Sequence, residues 1–446
     1  MLKKMTFSFI SLGCAKNLVD SEEIIGNLSR AGCRLIQQPA DSDFVVINTC
    51  AFLQEARREA FAVIRAMGKI KGSPAHKLAK IVVVGCLVQY FALHKIETKL
   101  PAVDLCVPIK QYHLLPHLLQ KAFFPGVHPR RPALLPSSRF LSRPPQSVYI
   151  KIAEGCNNRC AYCLIPFLRG KLHSKRIEDL VSEVQGVQKL GAREIILIAQ
   201  DVAAYGLDLY GRPMLAGLLR QLCKIRGVRW IRLLYLHPAH VTDDLLATVQ
   251  QEPKICKYLD LPIQHINTKI LHRMGRKTTR EEIVFLYHKV RDLIPGVVLR
   301  TTVMTGFPGE GEAEFTELLT FLREHPFERL GAFSFSPEKG TAAYKMPAQV
   351  KRGTAVQRHE IIMKQQKVIS RDFNRPLLGQ EVEVLVDSCF REKKSARGRM
   401  FSQAPEVDGQ VIISRVTTAK PGEFLRVKIT GAGIYDLMAV AKDQSV

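Results

Sequence analysis

The apolar and polar positions of this chain fall into three successive rhythms. Before residue 124, three strongly apolar runs end in cysteine: Phe7-Ser-Phe-Ile-Ser-Leu-Gly-Cys14, Phe44-Val-Val-Ile-Asn-Thr-Cys50 and Ile81-Val-Val-Val-Gly-Cys86. Helix-like segments at 21–31 and 52–67 lie between them. Strands that are apolar throughout and joined by helices predict a parallel sheet covered on both faces. From residue 147, six further strand candidates follow, at 149–153, 194–200, 230–236, 258–263, 297–304 and 330–335. Helical patterns intervene near 175–190, 213–225, 242–250, 280–293 and 311–324, and Thr279 with Glu282 has the spacing of a capping box. Six βα units make most of a barrel, a fold whose chemistry sits at the carboxyl ends of its strands. A helical stretch at 356–371 leads to a tail in which Val382, Val384 and Val386, then Leu425, Val427 and Ile429, alternate with polar residues. That alternation predicts a small antiparallel β-barrel of oligonucleotide-binding size, and it also fits any half-buried sheet.

The expected fold class is α/β in three parts: an open parallel sheet (1–123), a partial (βα)6 barrel (147–372) and a small β-barrel (373–446). A linker at 124–146 separates the first two, because Pro125, Pro129, Pro132, Pro136, Pro144 and Pro145 remove backbone donors there.

Length agrees with that division, since 446 residues exceed one ordinary core. The longest apolar runs, 81–88 and 195–199, fall short of the roughly 20 residues a bilayer requires. The opening Met1-Leu-Lys-Lys resembles a signal peptide, but Thr6, Ser8 and Ser11 interrupt its apolar stretch and it reads as a first strand. Eleven cysteines without export point to a reducing cytoplasm and to metal ligation or catalysis. The net charge of +24 suits either a nucleic-acid groove or a solvated basic surface. Almost none of it lies in the tail: residues 1–145 carry +11, 146–378 carry +12 and 379–446 only +1.

The densest chemistry is Cys156-Asn-Asn-Arg-Cys160-Ala-Tyr-Cys163, directly after the first barrel strand. No second pair lies at a distance suited to structural zinc, so an iron-sulfur cluster fits better. Three thiolates leave one iron of a cubane open, free to chelate the amino and carboxylate groups of S-adenosylmethionine. Cys14, Cys50 and Cys86 stand 36 residues apart, each at a strand end. In a parallel sheet those ends converge on one edge, so the three can meet as a second cluster site; three buried thiols are the other reading. Cys33, Cys106, Cys223, Cys256 and Cys389 share no ligand spacing, and His265 suits a cavity wall or a structural role equally.

The C-x3-C-x2-C spacing, with aromatic Tyr162 before the last cysteine, resembles the radical S-adenosylmethionine superfamily. The resemblance implies a partial βα barrel and reductive cleavage of the sulfonium to a 5′-deoxyadenosyl radical, the cofactor carrying the chemistry and the protein orienting it. Tyr162, Gly191, Glu194, Gly306 and Glu310 are the candidates for contacting the adenosine or methionine moiety, although the glycines also suit tight turns. Gly13-Cys-Ala-Lys-Asn17, Asn48-Thr-Cys50 and Gly85-Cys86 resemble the N-terminal domain of methylthiotransferases, and the terminal barrel resembles their TRAM domain. That family implies two 4Fe-4S clusters, Cys14, Cys50 and Cys86 holding the first and Cys156, Cys160 and Cys163 the second. It also implies two uses of S-adenosylmethionine, one methylating a sulfur and one generating the radical.

Within the family, the phrases Val19-Asp-Ser-Glu22, Ala199-Gln-Asp201, Tyr205-Gly206, Gln264-His-Ile-Asn267, Thr305-Gly-Phe-Pro-Gly-Glu310 and Ala404-Pro-Glu-Val-Asp-Gly409 resemble one branch. That branch modifies the β-carbon of an aspartate in small-subunit ribosomal protein number twelve. The near-neutral tail agrees with a protein substrate. Implied partners are that ribosomal protein, an electron donor such as flavodoxin or ferredoxin, and a sulfur donor, with no membrane. Val202-Ala203 and His173-Ser174-Lys175 depart from the pattern. Two alternatives stand beside this reading: methylthiolation of a tRNA adenosine, and a non-catalytic iron-sulfur RNA-binding protein.

Overall fold

The computed structural model describes residues 5–94, 100–124 and 139–441, without the side chains of residues 93 and 94. Met1 to Lys4 and the greater part of the proline-rich stretch lie outside the described residues.

The first part is a parallel sheet of β1 (Thr6–Ser11), β2 (Arg34–Leu35), β3 (Phe44–Thr49), β4 (Lys80–Gly85) and β5 (Leu105–Val107), in the order β2-β1-β3-β4-β5. Its central strands are apolar throughout because both faces are covered. Val45, Ile47, Ile81 and Val83 pack with Ile64 and Leu87 on one side, while Phe44, Val46, Val82 and Val84 pack with Ile24, Leu28 and Leu119 on the other. The helix after β1, Ala15–Arg30, begins six residues earlier than the apolar pattern suggests. Its first turns carry Asn17, Asp20, Ser21 and Glu22, which are buried and polar, so hydrophobic periodicity does not register them.

The central part continues with β6 (Ser147–Lys151), the short antiparallel pair β7 (Ala153–Glu154) and β8 (His173–Ser174), then β9 (Glu194–Ile198), β10 (Trp230–Leu233), β11 (Ile255–Asp260), β12 (Val298–Thr305) and β13 (Arg329–Ser334). Six of these strands run parallel in the order β13-β12-β11-β10-β9-β6, as the six candidate segments predict. Alternate residues, among them Ile150, Ile195, Leu197, Ile231, Leu233 and Leu299, face the covering helices. Their neighbours Tyr149, Ile196, Ile198, Trp230 and Tyr258 pack instead on Val19 of the first part and on Leu385 and Ala404 of the last. Thr279 and Glu282 form the expected capping box of helix Arg280–Leu293. Helix Arg352–Asn374 packs beside β12 and β13 and leads into the tail.

The tail closes into a barrel of β14 (Glu381–Phe390), β15 (Ser395–Arg399), β16 (Val411–Ser414), β17 (Phe424–Ala432) and β18 (Leu437–Ala441), in the order β14-β15-β16-β18-β17. One contact corrects the expectation of an all-antiparallel barrel: β16 and β18 pair parallel. Five strands cannot alternate direction around a closed ring, so one parallel pair is obligatory.

The barrel is latched to the central sheet by buried charge. Glu194 bonds Arg232 and Arg399, each at 2.8 Å, and Ser147, also at 2.8 Å. Asp408 accepts the Tyr258 hydroxyl proton at 2.7 Å. Among the described residues no helix is long and apolar enough to cross a membrane.

Candidate functional site

Cys14, Cys50 and Cys86 follow the adjacent strands β1, β3 and β4, so the parallel sheet delivers all three to one edge. Cys14 sits at the N-cap of helix Ala15–Arg30, Cys50 comes straight after Thr49, and Cys86 opens helix Cys86–His94. Two glycines make this approach possible. Gly13 has φ +95°, and a Cβ there would come within 2.7 Å of the Cys50 Cβ and 3.4 Å of its Sγ. Gly85 has φ +101°, and a Cβ there would meet the Thr49 carbonyl oxygen at 2.4 Å. Burial raises the Cys14 thiol, but Lys16, Arg169 and the backbone N–H groups of Asn17 and Lys16 outweigh it and bring the thiol below its ordinary value. Burial pushes Cys86 up to about 11, with Arg169 opposing and the Cys50 and Cys14 charges adding to the rise. Each sulfur lies within the field of the others.

The second triad is built on β7 and the loop after it. Gly155 has φ +71°, and a Cβ there would lie 2.1 Å from the Lys171 carbonyl oxygen. Cys156 N–H donates to the Gly170 carbonyl at 3.1 Å, and the loop is clamped from outside by Ala161 N–H to Met274 O and Ala343 N–H to Ala161 O, each at 2.8 Å. Backbone N–H groups aim at sulfur: Asn158 donates to Cys156 Sγ and Ile165 to Cys163 Sγ, each at 3.4 Å. Burial, with lesser contributions from neighbouring charges, pushes Cys156 to about 11 and Cys163 to about 12. All six sulfurs are free thiols. Each triad is therefore a converging set of soft donors, four of the six raised by burial, which a bound metal would deprotonate. Both donor sets fit an iron-sulfur cluster held by three cysteines.

Beside the first triad lies a quartet of charges, Asp20, Lys151 and Arg169 buried and Glu154 half-buried. Arg169, at the end of helix Ile165–Arg169 just after Cys163, bonds Glu154 at 2.9 and 3.0 Å, pairs with Asp20 at 3.1 Å and donates to Asn17. Its guanidinium also bears on Cys86 and Cys14. Lys151, the last residue of β6, pairs with Asp20 and with Glu154 at 2.9 Å. Burial opposes the Glu154 charge, but Lys151 and Arg169 hold its carboxyl well below the usual range. Two cations and two anions thus balance across the junction. Such a set contributes register more than net stability, because desolvation offsets much of the Coulomb gain.

The other candidates divide by strand end. Tyr162 lies beside Cys160 and Cys163; its hydroxyl accepts from Arg276 at 3.3 Å and its ring meets Phe307 edge-on at 6.4 Å. Gly306 and Glu310 follow β12 at the carboxyl edge. Gly306 has φ +74°, packs against Ala355 and donates its N–H to Glu310 at 2.9 Å, while Glu310 bonds Arg358 at 2.8 Å. Tyr162 and Gly306 share one neighbourhood through Phe307. His265 is fully buried, accepts from Asn267 N–H through Nδ1, and is held neutral near 3 by burial and by Arg358. Gly191 and Glu194 are not brought to this edge. They stand at the amino end of β9, where Gly191 turns with φ +109° and Glu194 anchors the terminal barrel.

Several residues escaped the sequence reading as site residues. Asp201 accepts from Asn158 Nδ2 at 3.0 Å, shares a 2.6 Å hydrogen bond with His240 Nδ1, and takes the backbone N–H groups of His237 and Ala204 at 3.3 Å. The ligand atoms of Asp201, His237 and His240 lie within 4.8 Å of one another, but the carboxylate is spent on these bonds. It ties the cysteine loop to the end of β10. Asp20, Lys151 and Glu154 fall within phrases that resemble the family, but nothing in those phrases assigns them a role, and Arg169 carries no sequence signal beyond its charge.

Comparisons with known proteins agree with this layout. Residues 6–108 match the family described as Uncharacterized protein family UPF0004, residues 150–322 the Radical SAM superfamily and residues 378–441 the TRAM domain. The ribosomal protein uS12 methylthiotransferase RimO of Clostridium botulinum is 37% identical over 99% of this chain and 99% of its own length. That of Pelotomaculum thermopropionicum is 40% identical over 96% of this chain and 97% of its own. Among solved structures, the radical S-adenosylmethionine methyltransferase TsrM from Kitasatospora setae shares the fold, with a TM-score of 0.55 at 13% identity, covering 87% of this chain and 79% of that one. By its identity to such relatives along nearly its whole length, the chain belongs to the ribosomal protein uS12 methylthiotransferase family.

Proposed function

We propose that this chain is a radical S-adenosylmethionine enzyme that adds a methylthio group to the β-carbon of an aspartate in ribosomal protein uS12. The observation that carries the reading is the presence of two cysteine triads, the first within the field of Arg169, in a chain whose relatives bear that activity in their names. Cys156, Cys160 and Cys163 hold the cluster that takes S-adenosylmethionine, and Cys14, Cys50 and Cys86 hold a second 4Fe-4S cluster. With both groups and the cofactor bound, the site supplies a hydrogen-abstracting radical and a methylthio sulfur.

The protein's own part is placement and shielding. Tyr162 and the turn from Gly306 to Glu310 wall the cofactor side, where the Tyr162–Arg276 bond and the Glu310–Arg358 pair keep both elements rigid. The Asp201–Asn158 bond holds the cysteine loop against β10. Arg169 and Lys151 lock the first part of the chain onto the second, so the two sulfur sets keep one separation. Residues 1–123 act as the unit bearing the second cluster, 147–372 as the radical domain and 373–446 as the unit that meets the substrate. A flavodoxin or ferredoxin supplies electrons and a separate donor supplies sulfur, in the cytoplasm.

Mass spectrometry of ribosomal proteins and of tRNA nucleosides from cells lacking the gene tests this directly. Loss of the methylthio group from uS12, with tRNA unchanged, is the expected result. A changed tRNA nucleoside with uS12 intact would transfer the activity to an adenosine.

A further inference from the structure

Lys16 is a cation placed between the first triad and the carboxyl ends of the central strands, with no carboxylate to hold. It lies in the first turn of helix Ala15–Arg30, two residues after Cys14. Its Nζ reaches across to the central sheet, 3.4 Å from the Ala199 carbonyl oxygen after β9 and 3.8 Å above the Tyr235 ring after β10. Among the described residues its ammonium meets no carboxylate, whereas the neighbouring cations Lys151, Arg169 and Lys175 each pair with at least two. An ammonium has three donors. Lys16 is half-buried, and one long bond to a carbonyl and one aromatic face leave donor capacity open to a ligand that displaces solvent.

The platform beneath it is held under strain. Tyr235 adopts φ +65°, a left-handed conformation unfavourable for an aromatic residue. Its N–H is fixed by Asp260 at 2.9 Å and its carbonyl accepts from Val202 at 3.0 Å, and Asp260 is itself held by Arg300 at 2.8 Å. Strain this firmly anchored persists where the surroundings over-determine it, and such sites cluster where a side chain must be aimed. Here it sets the ring under Lys16 at the carboxyl edge of the central strands, facing the first triad.

An accessible ammonium with no carboxylate partner, held in a fixed position, suits a carboxylate. Two are at hand under the proposed function, on which this inference rests: that of the methionine moiety and that of the acceptor side chain. The first is committed to the open iron of the cluster on Cys156, Cys160 and Cys163. The second belongs to an aspartate whose reacting carbon is bonded directly to the carboxylate carbon. A cation beside the first triad that grips this carboxylate fixes the carbon next to it. We infer that Lys16 is the specificity-determining residue of the acceptor site, binding the carboxylate of the acceptor aspartate beside the first cysteine triad over the Tyr235 ring.

The test uses reconstituted chain, S-adenosylmethionine and a synthetic uS12 peptide containing the acceptor aspartate, beside the same peptide with asparagine. Lys16→Gln and Lys16→Arg are compared with the parent after iron analysis confirms equal loading. Peptide affinity is read by fluorescence anisotropy without reductant, so no turnover intervenes, and KM and kcat are read with reductant. The inference expects Lys16→Gln to weaken the aspartate peptide tenfold or more, to raise KM more than it lowers kcat, and to erase the preference over asparagine. Lys16→Arg should restore part of the preference, and cofactor cleavage without peptide should persist in both variants. Unchanged discrimination in Lys16→Gln overturns the inference. So does a weakened affinity for S-adenosylmethionine with peptide affinity intact, which would assign the carboxylate to the cofactor. If Lys16→Gln loads poorly, Lys16→Arg decides: affinity for the asparagine peptide equal to that for the aspartate peptide would overturn it. A parent chain that leaves the peptide unmodified would instead sink the proposed function.

Discussion

Replacing Glu194 separates an anchoring role from a cofactor-binding one. Its carboxylate is fully buried and lies between Arg232 and Arg399, each at 2.8 Å. Burial alone would raise its carboxyl, but Arg399 and Arg232 bring it from the ordinary 4.5 to about 2. That drop corresponds to about 3 kcal/mol in favour of the ionised form. In Glu194→Ala, Arg399 keeps its two bonds to Asp387, while Arg232, also fully buried, keeps only the Phe401 carbonyl. Leaving such a charge uncompensated costs about 3–5 kcal/mol. For a cooperative unit of about 200 residues, Tm then falls by roughly 6–20 °C. Scanning calorimetry at neutral pH measures the fall, and titration calorimetry well below Tm measures cofactor affinity, which should be unchanged. Because the folded carboxyl lies below its unfolded value, its contribution is complete above about pH 4.5 and disappears as pH falls towards 2. The stability gap between the parent and Glu194→Gln should therefore shrink across that window. A parental Tm, or a tenfold loss of cofactor affinity in a variant of parental stability, would refute the reasoning.

Alanine at Cys156, Cys160 or Cys163 should abolish reductive cleavage of S-adenosylmethionine, whereas alanine at Cys14, Cys50 or Cys86 should spare cleavage and stop methylthio transfer; 5′-deoxyadenosine release by chromatography reads both. Iron analysis should give about eight atoms per parent chain and about four in a variant lacking either triad. Arg169→Met leaves Asp20 and Glu154 with Lys151 as their shared cation, so it should destabilise the chain by about 3–5 kcal/mol and alter the electron paramagnetic resonance of the first cluster more than that of the second. Thr279→Ala removes one side of the capping box and should cost about 0.5–2 kcal/mol in denaturant unfolding, with no change in cleavage.

The layout was legible wherever one-dimensional pattern maps directly onto topology. Apolar runs ending at Cys14, Cys50 and Cys86 implied a shared sheet edge, because parallel strands all present their carboxyl ends on one side, and β1, β3 and β4 are indeed neighbours. Thr279 and Glu282 announced a helix start through spacing alone. Polar residues buried for contact between parts of the chain left no such trace. Asn17, Asp20 and Glu22 broke the apolar rhythm and hid the first turns of their helix. Glu194, at the start of a strand, has the sequence position of a cofactor turn, and its role as an anchor depends on Arg399, 205 positions away. The phrase from Ala404 to Gly409 suggested a substrate branch by resemblance. Physically, its Asp408 is a latch on Tyr258, and Ala404 packs against the central sheet. The parallel pair β16 and β18 followed from closure of an odd number of strands, which alternation along one strand does not reveal.

The central claim is tested most directly by incubating the anaerobically reconstituted chain with uS12, S-adenosylmethionine, a sulfide source and a reductant, then sequencing the uS12 peptides by tandem mass spectrometry. The account predicts one methylthio group on the β-carbon of a single aspartate, formed together with 5′-deoxyadenosine. Release of 5′-deoxyadenosine with uS12 unmodified, and methylthiolation of a tRNA adenosine when tRNA replaces uS12 in the same mixture, would contradict it.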